Sequence, residues 1–274
     1  MHCELDFVYS AFFYIFEGTM YVHQLFVHKK QNMKLDILAI GVHPDDIELS
    51  CSGTLLRHIA LGKKIGLLDL TRGELGTRGS AETRDVEAEN AKQIMGAVVR
   101  KNLAMADGFF THNEENLRKI IRIIRQYQPD IILMNAIDDR HPDHGRASKM
   151  TSDACFLSGL RKVETVDYQG FAQAVWRPKQ VYHYIQDRSL RADFVVDITP
   201  FMDKKIELVL AYKTQFSQTT SEEDKEPQTP ISSPTFLESL KAKDRVYGRL
   251  INAEFGEAFT SERSVGVRNL FDLD

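Results

Sequence analysis

Ile37-Leu38-Ala39-Ile40-Gly41-Val42-His43-Pro44-Asp45-Asp46 is an apolar run that stops abruptly on an imidazole and two carboxylates. A short run of this kind, bounded by turn residues, is the pattern of a strand buried on both faces, as in parallel sheets. A second stretch repeats the design: Ile131-Ile132-Leu133-Met134 leads, after a short polar segment, into His141-Pro142-Asp143-His144. Two nearly identical words at the ends of two predicted strands point to one shared metal site, and so to a metal-dependent enzyme.

Outward from Lys34, short apolar runs alternate with longer amphipathic ones, the signature of successive βα units. The first strand is expected over 35 to 42. Ser52 can cap a helix to about Leu61, Gly62 ends it, and 65 to 70 reads as the second strand. The glycine-rich stretch 71 to 79 is then a loop, with a helix from about Ala81 to Met95 and a short strand near 98 to 104. Asn113 is a suitable N-cap, and Leu117, Ile120, Ile121, Ile124 and Tyr127 recur at helical spacing. Pro129 breaks that helix, and 130 to 135 forms the next buried strand. Farther on, 181 to 185 and 194 to 198 read as strands, and Thr199-Pro200 opens a helix to about Tyr212. The polar segment 217 to 234 is expected to be a mobile surface loop. With no internal repeat and no second core, 33 to 274 is expected to be a single α/β domain, its parallel sheet covered by helices.

Residues 1 to 32 stand apart. Phe12-Phe13-Tyr14-Ile15-Phe16 lies between Glu4, Asp6 and Glu17, without the basic region or cleavage site of a signal peptide. The run is also shorter than the roughly 20 residues a membrane-spanning helix requires. Met33-Lys34 reads as a natural start, so this stretch is expected to be an extension outside the fold, disordered or poorly packed.

The whole chain has 274 residues, 43% of them hydrophobic, and a formal charge of -4 with both signs interspersed. No broad basic face is offered to nucleic acid or to an anionic membrane, which leaves a small molecule as the expected partner. Cys3, Cys51 and Cys155 are far apart and form no Cys-x-x-Cys pair, which fits a reducing cytoplasm.

In an open parallel sheet, ligands bind beyond the carboxyl ends of the strands, where both words fall. His43 and Asp46, three residues apart, can share one cation, and His144 can reach it from the neighbouring strand. Three protein ligands and an open position suit zinc, which lowers the pKa of bound water towards neutrality; iron(II) and cobalt suit the same donors. Asp45 is placed to take the water's proton. His141 can stabilise the oxyanion or protonate the leaving amine, and Asp143 can orient a histidine. One such word alone reads equally well as a helix cap beside a loop histidine; its repetition at two strand ends argues against that.

Gly41-Val42-His43-Pro44-Asp45-Asp46-Ile47-Glu48, paired with Asp139-Arg140-His141-Pro142-Asp143-His144-Gly145, resembles the PIG-L/LmbE-like family of zinc-dependent N-acetylglucosamine deacetylases. The blocks 69 to 79, 106 to 110, 156 to 160 and 178 to 184 are similar to its branch acting on N-acetylglucosaminyl-malate in the bacillithiol pathway. The resemblance runs from about Met33 to the C-terminus, and Val42 stands where alanine is commoner. It implies a Rossmann-like fold with helices on both faces, assembled as a homo-oligomer, a trimer or hexamer. It implies His43, Asp46 and His144 as zinc ligands, Asp45 as general base and His141 as the group that steadies the tetrahedral intermediate.

A glucosaminyl-malate carries two carboxylates, and arginine forks suit them. Arg84 and Arg140 match arginines that the family places at the substrate. Glu48 matches a glutamate that contacts a sugar hydroxyl or braces a ligand. Tyr212 matches a mobile tyrosine that donates to the intermediate, although packing at a helix end explains it equally well. Arg72 and Arg78 read rather as solvated loop charges, and His183 as a core or interface residue. Deacetylation of another conjugate (free GlcNAc, a chitooligosaccharide, a mycothiol-type precursor) and a non-catalytic metal-binding role remain as alternatives. A dinucleotide site is excluded, because the first βα turn carries two carboxylates where glycines would have to cradle a pyrophosphate.

Overall fold

The computed structural model describes residues 8–16, 19–27, 33–216, 227–233 and 235–272. The chain forms two compact units, Met1–Met33 and Lys34–Asp274. In the first, β1 (Val8–Phe16) and β2 (Thr19–Val27) pair antiparallel, from Val8 opposite Val27 to Phe16 opposite Thr19. These strands are not anticipated in the expected arm. Aromatic and β-branched residues dominate both segments, and that composition favours strands.

The second unit runs β3 (Ile37–Gly41), α1 (Asp46–Ala60), β4 (Ile65–Thr71), α2 (Ala81–Met95), β5 (Val99–Met105), α3 (Glu114–Tyr127), β6 (Ile131–Met134) and α4 (Pro142–Leu157). It continues with β7 (Gln180–Tyr184), β8 (Phe194–Asp197), α5 (Met202–Leu210), α6 (Lys213–Phe216), α7 (Phe236–Arg249) and β9 (Gly256–Ser261). The sheet order is β5-β4-β3-β6-β7-β9-β8, parallel from β5 to β7, with β9 antiparallel to both its neighbours. This is the α/β fold with a mostly parallel, helix-flanked sheet that the alternation predicts. The side chains of β3 show why both faces are covered. Ile37 and Ala39 pack into one core with α1, α2 and α5, whereas Leu38 and Ile40 pack into the other with α3 and α4.

From β3 the chain winds outward through β4 to β5, then crosses back to β6 on the other side of β3. The carboxyl ends of β3 and β6 therefore flank the topological switch point, where such sheets open a crevice. Each of the two His-Pro-Asp words follows one of these strands.

Several boundaries differ from expectation. Helix α1 starts at Asp46, not Ser52; the Ser52 hydroxyl donates back to the Glu48 carbonyl at 2.7 Å from inside the helix. Thr199-Pro200 opens a 3-10 turn, Thr199–Phe201, and α5 follows it. Helix α7 and strand β9 were not anticipated. They are joined to α1 and α5 by a buried cluster in which Lys205 Nζ lies 2.8 Å from both Asp244 Oδ2 and Glu257 Oε1. The other Glu257 oxygen accepts from Thr54 N–H at 2.7 Å. Of the expected mobile loop, 217–226 and 234 lie outside the described residues. Residues 227–233 hold a 3-10 turn, Pro230–Ser232, capped by Thr229. No helix among the described residues is long and apolar enough to cross a membrane.

Candidate metal centre

Immediately after β3 the chain makes a tight turn in which Asp45 takes φ 123°, a strained value for a residue with a Cβ. The turn is held by Asp46, whose Oδ2 accepts from the N–H groups of Val42 and His43 and from Asn135 Nδ2, each at 3.0 Å. Its Oδ1 accepts from Gln186 Nε2 at 2.7 Å and lies 3.3 Å from His144 Nε2. His43 Nδ1 is 3.6 Å from Asp46 Oδ2. Donors on one tetrahedral zinc, at bonds of about 2 Å, stand about 3.3 Å apart. Ring nitrogens of His43, His141 and His144 all lie within 4.8 Å of one another. The structure thus brings the two words together.

The far nitrogens of the two expected histidine ligands are held by carboxylates. His144 Nδ1 is 2.6 Å from Asp139 Oδ2, and His43 Nε2 is 3.0 Å from Asp107 Oδ1 and 3.7 Å from Asp143 Oδ2. Such partners fix a ligand's ring orientation and raise its basicity. Asp139, Asp107, Asn135 and Gln186 were not assigned roles from the sequence. Asp107 and Asp139 stand inside the quoted blocks, but ligand spacing alone does not require them.

Asp46, Asp107, Asp139 and Asp143 lie against His43 or His144, whose ring nitrogens cluster with that of His141, and this donor set suits a divalent cation. Electrostatics follow the same inventory. Burial disfavours a charged His43, but Asp107, Asp143 and Asp46 outweigh it and hold the imidazole well above its usual pKa. Burial likewise opposes a charged His144, yet Asp46 and Asp139 raise it to about 9. Asp46 is pushed up by burial and pulled down further by His144 and His43, ending well below the carboxylate range. For Asp45 burial wins over Arg84, and its pKa rises to about 7. His141 is lowered by burial and by the neighbouring His43 and His144.

A groove of about 360 Å³ is lined by His43, Asp45, Asp46, His141 and His144 together with Arg84 and Arg140. Glu48, Tyr212 and Asp143 are not on its lining. Glu48 is fully buried and paired with Arg100 at 2.6 Å, and Arg100 also grips Asp69, so Glu48 braces the floor and meets no substrate hydroxyl. Tyr212 is likewise fully buried in the apolar core, the helix-end packing alternative. Arg84 is turned inward onto the expected base, with Nη2 at 3.0 Å from Asp45 Oδ2 and 2.8 Å from the Pro44 carbonyl. Gly73, at φ 65°, makes room for it, since a Cβ there would lie 2.1 Å from Arg84 Nη1. Arg140 reaches outward to Asp187 at 2.6 Å. Arg72 is a solvated loop charge paired with Asp85 and Glu82, whereas Arg78 is buried and donates to the Thr214 carbonyl. His183 bonds Ser148 and the Asn135 carbonyl within the core.

Residues 38–155, which contain both words, match the family model PIG-L, GlcNAc-PI de-N-acetylase. An uncharacterised deacetylase of Escherichia coli K12, YaiS, is 34% identical over 133 residues, which are 45% of this chain and 70% of the relative. The chain belongs to the PIG-L family. Its members' deacetylase activity makes this protein a deacetylase. Among solved structures, the conserved protein TT1542 of Thermus thermophilus superposes with a TM-score of 0.75 at 33% identity, covering 86% of this chain and 98% of that one. The N,N'-diacetylchitobiose deacetylase of Pyrococcus horikoshii shares the fold, with a TM-score of 0.71 at 22% identity and 82% coverage of each chain.

Proposed function

We propose that this protein is a zinc-dependent cytoplasmic deacetylase that releases acetate from N-acetylglucosaminyl-malate, a step of bacillithiol biosynthesis, with His43, Asp46 and His144 as the zinc ligands. The observation that carries the reading is the placement of His43 and His144 on either side of Asp46, with Asp45 and His141 on the same groove wall. The family's description supplies the GlcNAc moiety, and the branch-like sequence blocks supply the malate.

His43, Asp46 and His144 would hold the zinc, which would supply a polarised water whose proton is easily removed. Asp45 accepts that proton: burial raises its pKa to about 7, which makes the carboxylate a stronger base than an exposed one. Arg84 holds the Asp45 carboxylate in place from behind. His141 Nδ1 accepts from the Asp143 N–H at 3.3 Å, so a neutral ring carries its proton on Nε2, free to donate to the developing oxyanion. Collapse of the tetrahedral adduct breaks the C–N bond, and the proton held by Asp45 goes to the leaving amine.

Acetate release by zinc-loaded protein from GlcNAc-malate, the methyl glycoside of GlcNAc and diacetylchitobiose tests the assignment. A clear preference in kcat/KM for the malate conjugate is expected; equal values on all three overturn the malate assignment.

A further inference from the structure

The metal-site groove does not end at the histidines. A second cavity of about 250 Å³ opens from the same residues, Leu49, Arg140, His141, His144, Gln186 and Ile231, which line both. It runs beside α7, where Phe236, Leu240, Val246 and Tyr247 form an apolar wall. Lys243 interrupts that wall with a cation whose side chain is 18% exposed. A mostly apolar pocket with one convergent charge is the design of a site that orients a small ligand.

Of the arginines lining the two cavities, Arg84 is closed onto Asp45 and two carbonyls, and Arg140, exposed at the rim, places its Nε on Asp187. Lys243 is different. Among the described residues its hydrogen bond goes to the neutral Gln186 carbonyl at 3.1 Å, and an ammonium has three N–H donors. Its nearest carboxylate oxygen, Asp244 Oδ1, stands 3.8 Å away, while the other oxygen of Asp244 is drawn to Lys205 at 2.8 Å.

We propose that the α7 cavity is the aglycone subsite and that Lys243 is its specificity-determining residue, pairing with an anionic oxygen, carboxylate or phosphate, carried by the group attached to the sugar. This rests on the reading of the chain as a GlcNAc-conjugate deacetylase. It moves recognition of the aglycone from Arg84 and Arg140, where resemblance puts it, to a lysine on a helix that the sequence reading did not anticipate.

The test compares zinc-loaded wild type and Lys243→Met on three GlcNAc glycosides: methyl, malate and glycerol phosphate. The readout is the kcat/KM ratio of each anionic glycoside to the methyl one. Loss of a charge-assisted hydrogen bond predicts a fall of about 10- to 100-fold in that ratio, carried by KM, with Lys243→Arg retaining most of it. A preference for malate that disappears in Lys243→Met supports both the inference and the substrate. A preference for the phosphate that disappears in the same way supports the inference and overturns the malate assignment. A preference that survives Lys243→Met overturns the inference alone, and a wild type without any anionic preference overturns both. Val246, exposed and one helical turn from Lys243 on the same wall, gives variants that leave the buried cluster untouched. Val246→Glu is expected to lower the ratio and Val246→Lys to raise it; no change in either direction overturns the inference.

Discussion

At the end of β3 both aspartates of the first word face the groove, whereas at the start of α4 the aspartate of the second word faces away from it. Asp143 is fully buried, accepts from the Gly108 N–H at 2.9 Å, and approaches His43 from behind. The cause is where each helix begins. In the first corner α1 starts at the fourth residue of the word, Asp46; in the second, α4 starts at the second residue, Pro142, with His141 as its N-cap. An offset of two helical residues turns a side chain by about 200°. Under the proposed function, like words thus divide the labour: the first corner presents the base, an imidazole ligand and the carboxylate ligand, the second an imidazole ligand and an imidazole donor.

The largest effect that tests this division is Asp45→Asn against Asp143→Asn. Asp45→Asn is expected to lower kcat by about 10²- to 10⁴-fold, the contribution of a positioned general base, with zinc content by elemental analysis unchanged. Asp143→Asn removes a brace of His43, so its cost is expected in zinc retention, with a smaller loss of kcat at saturating metal. Equal losses of kcat in the two zinc-loaded variants would show that the two corners are not functionally distinct.

Beneath the first corner lies a buried layer in which one arginine, Arg100, pairs with two carboxylates, Glu48 and Asp69. Arg100→Leu leaves two buried carboxylates facing each other without their cation. A destabilisation of about 3–5 kcal/mol is expected by denaturant unfolding. A loss below about 1 kcal/mol would mean that the carboxylates take up protons or water and that the floor of the first corner does not depend on its arginine.

Metal affinity compares the corners more finely. Asp139 holds His144 at 2.6 Å and accepts from the N–H groups of Arg140, Asp187 and Arg188, while Asp107 holds His43 at 3.0 Å. Each change to asparagine is expected to weaken zinc binding by about 10- to 100-fold in competition with a chromophoric chelator. Asp139→Asn should lie at the upper end, because its carboxylate also ties the β6–α4 loop to the segment after β7. The reverse order would make the β3 corner the tighter grip.

The same contrast separates what the sequence revealed from what it hid. The βα alternation, α2 and α3 were legible because local chemistry alone specifies them: Asn113 caps α3 by accepting from the Asn116 N–H, and Leu117, Ile120, Ile121 and Ile124 mark the face that packs on the sheet. The start of α1 is hidden in the sequence because its first turn carries Asp46 and Glu48, polar residues committed to the site and its floor, while Ser52, a cap-like residue, lies inside the helix. Strand β9 was hidden for a related reason. Glu257 is fully buried at the second position of a short strand, and its charge is met by Lys205 of α5 and by the Gly53 and Thr54 N–H groups of α1. The proximity of His43, Asp46 and His144 was legible as spacing; the burial of Tyr212 and Glu48 was not, because a resemblance carries residue identity but not burial.

That contrast can be sharpened at the start of α2, the helix that carries Arg84. Ser80 forms a reciprocal capping box with Thr83, its side chain accepting from the Thr83 N–H while Thr83 Oγ1 accepts from the Ser80 N–H at 2.7 Å. Helix α1 has no side-chain cap at Asp45, so the two helices beside the groove are started by opposite means. Ser80→Ala is expected to destabilise the protein by about 1 kcal/mol, a fall in Tm of about 2–4 °C. Turnover should follow Arg84, which is anchored at its far end by Asp45 and the Pro44 and Gly73 carbonyls and not by the cap. A small loss of Tm with kcat/KM on GlcNAc-malate within about twofold of wild type would place the cap in the scaffold, since a change that small is under about 0.5 kcal/mol in barrier height. A loss of several tens of fold would mean that the first turn of α2 sets the position of Arg84, and through it the base, making this helix start part of the site as the start of α1 is.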